Sequence, residues 1–460
     1  MMSGKNEASP LLSIRNPLSK IRRYFSTFEI TRGFFIALLS SLFIYMEYWN
    51  LSYPVLTTFF GLTALYMLLQ EEKKTWFFSG FFIGFFWFWW IVVSFGHYKM
   101  LWAIPIALLL ISFTYGILFW LIAYFAEKIT SVITNIRVGW IHPPKSITSS
   151  KLKVGEPTLH ELILKAFGLL VLSYFHPFGF DWFKPELMFV NSYLGIEKWQ
   201  FAILLTAMVL SIWKKQFLYL FLIVLAYQPA ITSTHNIPDT VKLVTMNTTV
   251  EEKWNKKLHA KQFDEIFRVI DQAINDNKTL VILPESIFPI FLNYDKGLIA
   301  KLEKRAKSIS IVVGALYWDG KTPHNSTYIF TNSKITIANK VLLVPFGESN
   351  PLPDFLSDWV NKVFYDGAVD YKASENVVDY TINNTTYRNA ICFEATSEKL
   401  YEGKPENMIV LSNNGWFTPS IEPVLQRLLL QYYSKKYGTT IFHSVNMSES
   451  YVIQSRKIIQ

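Results

Sequence analysis

Three polar residues at the ends of apolar runs stand out as groups able to do chemistry. Glu285 closes the run Leu280-Val281-Ile282-Leu283-Pro284. A carboxylate ending a buried strand is poorly solvated, so its pKa rises, which suits a general base. Lys340 opens the stretch Val341-Leu342-Leu343-Val344-Pro345-Phe346-Gly347-Glu348, where an ammonium is costly unless paired. Cys392, in Ala390-Ile391-Cys392-Phe393-Glu394, is the only thiol of the chain and has an acid two residues on. Each has a plainer reading. A lone Cys in an apolar strand is a small buried hydrophobe. Glu285 could cap the next helix, and Lys340 could pair at the surface.

Other chemistries fall away. There is no G-x-S-x-G elbow, no Walker-type loop, and no H-E-x-x-H among the eight His residues. His324, near a polar turn, reads as a surface residue. A single Cys excludes an internal disulfide framework and a Cys-ligated zinc site.

The 460 residues that must position these groups are 51% hydrophobic and only 17% charged, against about a quarter in soluble domains. The net charge is +9. Up to Ile231 there are 19 Lys+Arg against 11 Asp+Glu, and beyond it 25 against 24. The basic excess therefore belongs to the apolar part, and no basic stripe marks a nucleic-acid face in the polar part.

Seven hydrophobic runs cover roughly 33–48, 53–69, 76–95, 101–125, 162–175, 199–213 and 217–230. The last three are short for spans of about 20 residues. Lys and Arg cluster in alternate connections: before the first run, after the second (Lys73, Lys74), after the fourth, and after the sixth (Lys214, Lys215). Seven spans with the N-terminus inside satisfy the positive-inside rule and put everything after the seventh outside the cytoplasm. The aromatic cluster from Phe81 to Trp90 is expected to serve packing, with Gly80 and Gly84 allowing close helix approach, rather than to form a lipid-binding wall. Few acids lie in the runs, notably Glu47, which favours a scaffold over a pump.

From Val241 short β-rich runs alternate with helical ones. Strands are expected at 241–247, 280–284, 309–317, 327–331, 335–339, 377–382, 387–393, 408–412 and 440–445, and helices at 256–275, 296–308 and 421–437. The mix predicts layered sheets with helices outside.

The chain order Glu285, Lys340, Cys392 resembles the triad of the nitrilase (carbon–nitrogen hydrolase) superfamily. The stretch from Lys340 to Glu348, together with Ile391-Cys392-Phe393-Glu394 and Ser412-Asn413-Asn414-Gly415-Trp416-Phe417, is similar to the apolipoprotein N-acyltransferase family. Val244-Thr245-Met246-Asn247 followed by Lys253-Trp254, a His-Asn-Ser turn holding Asn325, and Gly179-Phe180-Asp181-Trp182 extend the likeness. The resemblance implies a multi-span α-helical membrane bundle followed by an α/β nitrilase-like αββα sandwich. It divides the chain into a cytoplasmic segment 1–32, a membrane domain 33–231, a linker 232–240 and a periplasmic catalytic domain 241–460, in a bacterial inner membrane.

It also implies an acyl transfer from a phospholipid, through a Cys392 thioester, to the α-amine of a diacylglyceryl-cysteine apolipoprotein. In that reading Glu285 is the base and Lys340 stabilises the oxyanion. Glu348 and Glu394 support the site, and Trp254, Trp416 and Asn413 meet substrate. Neither cofactor nor metal takes part, and the protein works as a monomer. A membrane-bound amidase with the same triad is the alternative; a receptor or transporter would not need Cys392.

Departures from the family pattern are Phe393 in place of Tyr, Tyr433 and Lys436 in place of an Arg/Glu pattern, and Asn446-Met447-Ser448 in place of Asn-Asn-Gly. With Gln460 so close behind the domain, the domain is expected to be held through its N-terminal linker, with Leu298–Ile299 and 359–364 as candidate lipid anchors.

Overall fold

The computed structural model describes residues 26–140, 157–229, 237–345, 347–349 and 371–454. The candidate anchor 359–364, most of the expected linker, and the basic residues before 26 and from 145 to 153 lie outside the described residues.

The apolar runs form α1 (Thr27–Tyr48), α2 (Pro54–Gln70), α3 (Lys73–Phe88), α4 (Ile104–Trp140), α5 (Leu159–Leu172) and α6 (Lys198–Lys214), followed by a 3-10 helix Phe217–Ala226. Helix α3 runs on as a 3-10 segment, Trp89–Gly96. All seven expected runs are helical. Among the described residues three stretches, Thr27–Tyr48, Lys73–Gly96 and Leu101–Thr134, are long and apolar enough to cross a membrane, and the others are shorter. Helix α1 starts in a capping box, with Ser26 and Glu29 each satisfying the other's backbone N–H.

The aromatic cluster packs as expected. Trp87, Phe88 and Trp90 are buried, and α3 lies tightly on α4. A Cβ at Gly80 would sit 2.4 Å from the Tyr115 carbonyl oxygen, and one at Gly84 3.0 Å from the Ser112 Cα.

The polar part is two sheets face to face. The first has the order β1 (Val241–Leu243), β2 (Leu280–Ile282), β4 (Ser310–Trp318), β5 (Pro323–Thr331), β6 (Lys334–Asn339), with β3 (Phe288–Phe291) also on β4. The second is β11 (Tyr451–Ile453), β10 (Thr440–Asn446), β9 (Asn407–Asn413), β8 (Thr385–Ile391), β7 (Asp379–Ile382). Val241, Ile282, Val312 and Ile329 of one sheet meet Tyr387, Ile409, Leu411 and Phe442 of the other.

Helices cover both outer faces. Besides the short α7 (Val250–Lys253), these are α8 (His259–Asn275) and α9 (Lys296–Ala306) on the first sheet, and α10 (Glu422–Tyr437) on the second. Helix α8 buries one stripe, Ile266, Phe267, Ile270 and Ala273, as a surface helix does.

Helix α10 is different. Leu425, Leu428, Leu429, Leu430, Tyr432 and Tyr433 are all buried, because the helix is covered on both sides. One side lies on the second sheet. On the other, its hydrophobic cluster continues into the bundle through residues such as Leu187 and Phe189. Polar contacts fix this second side. Arg427 Nη2 is 2.9 Å from Glu47 Oε1, the Tyr432 hydroxyl donates to Glu186 at 3.0 Å, and the Tyr433 hydroxyl to Asp181 at 3.3 Å.

The domain is therefore held on the bundle by a packed helix face, contrary to the expectation that the linker alone would hold it. The acids that receive α10 lie far away in sequence, so the docking left no local signal. Leu298 and Ile299, the other candidate anchors, pack instead in the core beneath α9.

Two strands were missed. β3 contains Pro289 and pairs irregularly, as a Pro-bearing strand at a bulge does. β11 is only three residues long. β5 starts at Pro323, so the expected polar turn around His324 is strand. His324 is buried, with Nε2 3.1 Å from Asp319 Oδ2.

The Arg427–Glu47 pair is largely withdrawn from water. Arg427→Ala is expected to lower the melting temperature in detergent by about 1–2 °C, the shift about 1–2 kcal/mol produces in a chain of this length. Glu47→Gln should do the same, and the double variant should lose no more than either alone. Additive losses in a thermal-shift cycle would show that the two side chains do not act on each other.

Candidate active site

Strands β2 and β4 run parallel, and β6 shares their direction across two antiparallel steps. β8, β9 and β10 are parallel to one another. A bridge from Met246 to Asn446 joins the two sheets at one end. The carboxyl ends of these strands therefore gather there, where open α/β sheets bind ligands. Glu285 follows β2, Lys340 follows β6, Cys392 follows β8, and Asn413 ends β9.

Each side chain is aimed by a local device. A Cβ at Gly314 on β4 would lie 2.7 Å from the Glu285 Cα and 2.5 Å from the Ser286 nitrogen, so only glycine there lets the Glu285 turn lie so close. Cys392 leaves β8 with φ of +52°, an uncommon conformation for a side-chain-bearing residue, and starts a 3-10 turn, Cys392–Thr396. That turn rests on aromatic rings from the bundle. Phe393 packs against Phe180 at 5.4 Å and stacks on Trp182 at 6.2 Å. Trp182 Nε1 donates to Thr396 Oγ1 at 2.7 Å. The Gly179-Phe180-Asp181-Trp182 element thus supports the thiol's turn, with Phe393 packed against the Phe180 and Trp182 rings.

The charges form one cluster. Lys340 Nζ is 2.7 Å from Glu348 Oε2 and 3.9 Å from Glu285 Oε1. Asn325 Nδ2 donates to Glu285 Oε1 at 2.7 Å and to Glu348 Oε1 at 2.8 Å. Burial acts to lower the Lys340 ammonium, but the two carboxylates outweigh it and hold it above the ordinary lysine value. Burial pushes the Glu285 carboxyl up, against the pull of Lys340. Burial and the Glu285 charge push the Cys392 thiol well up. The thiol is therefore neutral at rest and needs a base to become a nucleophile.

Glu285, Lys340, Cys392, Glu348, Trp254, Asn413 and Trp416 all border one cavity of about 350 Å³. Its other wall is apolar and belongs to the bundle: Ile91 and Phe95 from the segment after α3, and Ala107, Leu110 and Ile111 from α4. At its rim Trp416 stacks on Tyr98 at 5.7 Å, and Trp254 is partly exposed. Asn413 Oδ1 accepts from Gly415 N and Asn446 Nδ2, so it shapes the turn beneath Trp416.

Glu394 is the exception, because it faces backbone rather than the cavity. Oε1 accepts from Ile391 N at 2.7 Å, and Oε2 from Val341 N at 2.6 Å and Leu342 N at 3.1 Å. It ties the segment after Lys340 to the strand before Cys392. Burial raises its carboxyl to about 7.

Three residues near the site were not predicted as part of it. Lys253 is buried, donates from Nζ to the Glu285 carbonyl oxygen at 3.1 Å, and is lowered to about 8 by burial. Tyr371 borders the cavity. Gln426 of α10 lies 3.8 Å from the Cys392 sulfur. A lysine beside Trp254 was visible in the sequence, but nothing marked it as buried.

The family model described as the apolipoprotein N-acyltransferase integral membrane domain matches residues 27–145 and 157–231. An apolipoprotein N-acyltransferase of Wolinella succinogenes is 37% identical over 425 residues, 91% of this chain and 94% of the relative. The chain belongs to the apolipoprotein N-acyltransferase family. The family's Campylobacter jejuni member is 32% identical over 94% of this chain and 91% of its own. Among solved structures, a CN-hydrolase superfamily protein of Xanthomonas campestris aligns at 15% identity and TM-score 0.36, covering 46% of this chain and 82% of that one. The architecture expected for the family, helical membrane runs followed by an α/β sandwich of two sheets between helices, is the one described above.

Glu394→Gln tests the backbone clamp. A glutamine must turn its amide N–H₂ toward one of the N–H groups that Glu394 now accepts, leaving a buried donor unpaired at about 1–3 kcal/mol. Hydrogen exchange at Val341 and Leu342, or at Ile391, is expected to quicken about 10- to 100-fold. Unchanged protection at all three amides would refute the clamp.

Proposed function

We propose that this protein transfers a fatty acyl chain from a phospholipid to the N-terminal α-amine of a diacylglyceryl-cysteine apolipoprotein, through a thioester on Cys392. Glu285 takes the thiol proton as sulfur attacks the acyl ester carbonyl. Lys340 and backbone N–H groups at the Cys392 turn stabilise the tetrahedral oxyanion. The C–O bond breaks, Glu285 returns the proton to the departing lysophospholipid oxygen, and the thioester remains. The acceptor amine then attacks the thioester and gives up a proton to Glu285. The C–S bond breaks, Glu285 hands that proton to the leaving Cys392 sulfur, and the product is an amide with the thiol restored. Glu348 keeps Lys340 charged and aligned. Glu394 holds the two loops together. Trp254, Trp416 and Asn413 contact the substrates.

In this reading the chain crosses a bacterial inner membrane seven times from a cytoplasmic segment 1–32. Residues 33–231 form the membrane part, 232–240 the linker, and 241–460 the periplasmic catalytic domain, working as a monomer. The observation that carries the reading is the shared cavity, with the charge cluster and thiol on one wall and apolar bundle helices on the other. A chain lying there keeps its methylenes out of water, each contributing about 0.8 kcal/mol. Hydrolysis of a small amide has no use for such a wall, which disfavours the amidase reading.

Intact mass measured after incubation with phospholipid vesicles is expected to rise by one acyl group in the wild type and not in Cys392→Ala. Hydroxylamine should remove the added mass, and a diacylglyceryl peptide with a free N-terminus should take it up as an amide. A folded wild type that never acquires acyl mass would overturn the reading.

The base must be ionised to act. Its folded pKa is raised, so thioester formation should fall as pH drops through a value above the ordinary glutamate range near 4.3. An acid limb at or below that range would exclude Glu285 as the base.

A further inference from the structure

Beside the nucleophile, and outside the lining of the cavity, the first turns of α10 carry two buried polar side chains that the reaction above does not use. Glu422 and Gln426 are each 1% exposed. They are four residues apart, hence neighbours on one helix face. Gln426 Nε2 points at Cys392 Sγ across 3.8 Å. Among the described residues, Glu422 Oε2 and Gln426 Oε1 are both buried without a hydrogen-bond partner. Two unpaired oxygens one helical turn apart in a buried site are costly, unless one of them carries a proton to share.

Glu422 is the group able to carry it, since an amide oxygen can only accept. Burial and the Glu285 charge raise its carboxyl to about 8. The groups that act on Glu422 or feel it are Glu285 beyond β2, Cys392 beyond β8 and Tyr451 of β11. Arg427, next to Gln426 on α10, reaches Glu47 instead. Among these described groups no cation pairs with Glu422 to hold it ionised.

We propose that Gln426 is a positioning residue for Cys392. Protonated Glu422 donates its O–H to Gln426 Oε1, which turns the Gln426 amide N–H onto the Cys392 sulfur and so stabilises the thiolate as Glu285 removes its proton. An uncharged Glu422 also spares the thiolate a second nearby anion. The inference rests on Cys392 being the nucleophile, and it assigns to α10 a contact with the sulfur from outside the cavity lining.

Cys392 is the only cysteine of the chain, so its alkylation by iodoacetamide can be followed in the full-length protein in detergent across pH. Gln426→Met keeps the bulk and removes the donor. It is expected to slow alkylation about 10-fold at neutral pH and to move the acid limb of the profile up by about one unit. Glu422→Leu should reproduce that loss. Glu422→Gln, which still donates to Gln426 Oε1, should alkylate within about threefold of wild type.

A packing role alone would not move the limb or be rescued by glutamine at 422. Wild-type alkylation by folded Gln426→Met overturns the proposal, as does Glu422→Gln as slow as Glu422→Leu. Should Gln426→Met not fold, Gln426→Leu removes the donor with a smaller apolar side chain, and a wild-type rate there is equally fatal. Acyl uptake by the wild type is measured in parallel. Its absence would count against the phospholipid reading alone, whereas alkylation at unchanged rates would count against the Gln426 contact alone.

Discussion

A buried ammonium has to be neutralised, and much of the catalytic domain is arranged around that requirement at Lys340. Isolated in an apolar stretch it would cost more than a domain can spare. Glu348 meets it at 2.7 Å and Glu285 at 3.9 Å, and Asn325 holds both carboxylates with one amide nitrogen. These contacts come from four separate places in the chain. Each needs its own support: glycine at 314 for the Glu285 turn, β5 extended back to Pro323 for Asn325, and the Glu394 clamp for the segment after Lys340. The same cluster keeps the thiol neutral, since the Glu285 charge adds to burial in raising it. Before the proton moves, the thiol is thus neutral and the base carries the charge.

The second constraint is height above the bundle. The Cys392 turn rests on Phe180 and Trp182, Trp182 lies 4.8 Å from Trp90, and Trp90 packs edge-on to Phe417 at 4.9 Å. Helix α10 fastens the other side through Arg427, Tyr432 and Tyr433. Rigid aromatic packing beneath the turn and ionic contacts beside it fix the thiol relative to α4 and the segment after α3, whose apolar side chains complete the cavity. A helix with both sides covered shows no polar stripe, which is why the hydrophobic pattern of α10 is weak although the helix is central to the assembly.

Much of this was legible in the residues. Apolar runs of membrane length, alternating Lys and Arg, and β-rich runs punctuated by helices are local signals, and the elements formed close to where they predict. The triad candidates were legible for a related reason. A polar residue that ends an apolar strand is visible as an anomaly in the sequence, and Glu285, Lys340 and Cys392 all line the one cavity. Glu394 was visible too, but not its job. An acid two residues after the thiol reads as a strand-end charge until three backbone N–H groups are seen to converge on it.

What the sequence determined by itself was which segments are apolar, which alternate, and which polar residues stand where polarity is expensive, because each of these is a property of neighbours along the chain. What only the tertiary structure decided was which of those residues meet. Glu47 looked like a stray intramembrane acid and is the partner of Arg427. His324 looked like a surface residue and is buried on a strand. Lys253, Glu422 and Gln426 looked unremarkable and lie close around the reacting pair. Their roles depend on groups tens to hundreds of residues away. Such pairings are fixed by the register of the two sheets and the seat of α10 on the bundle, and no local pattern encodes either.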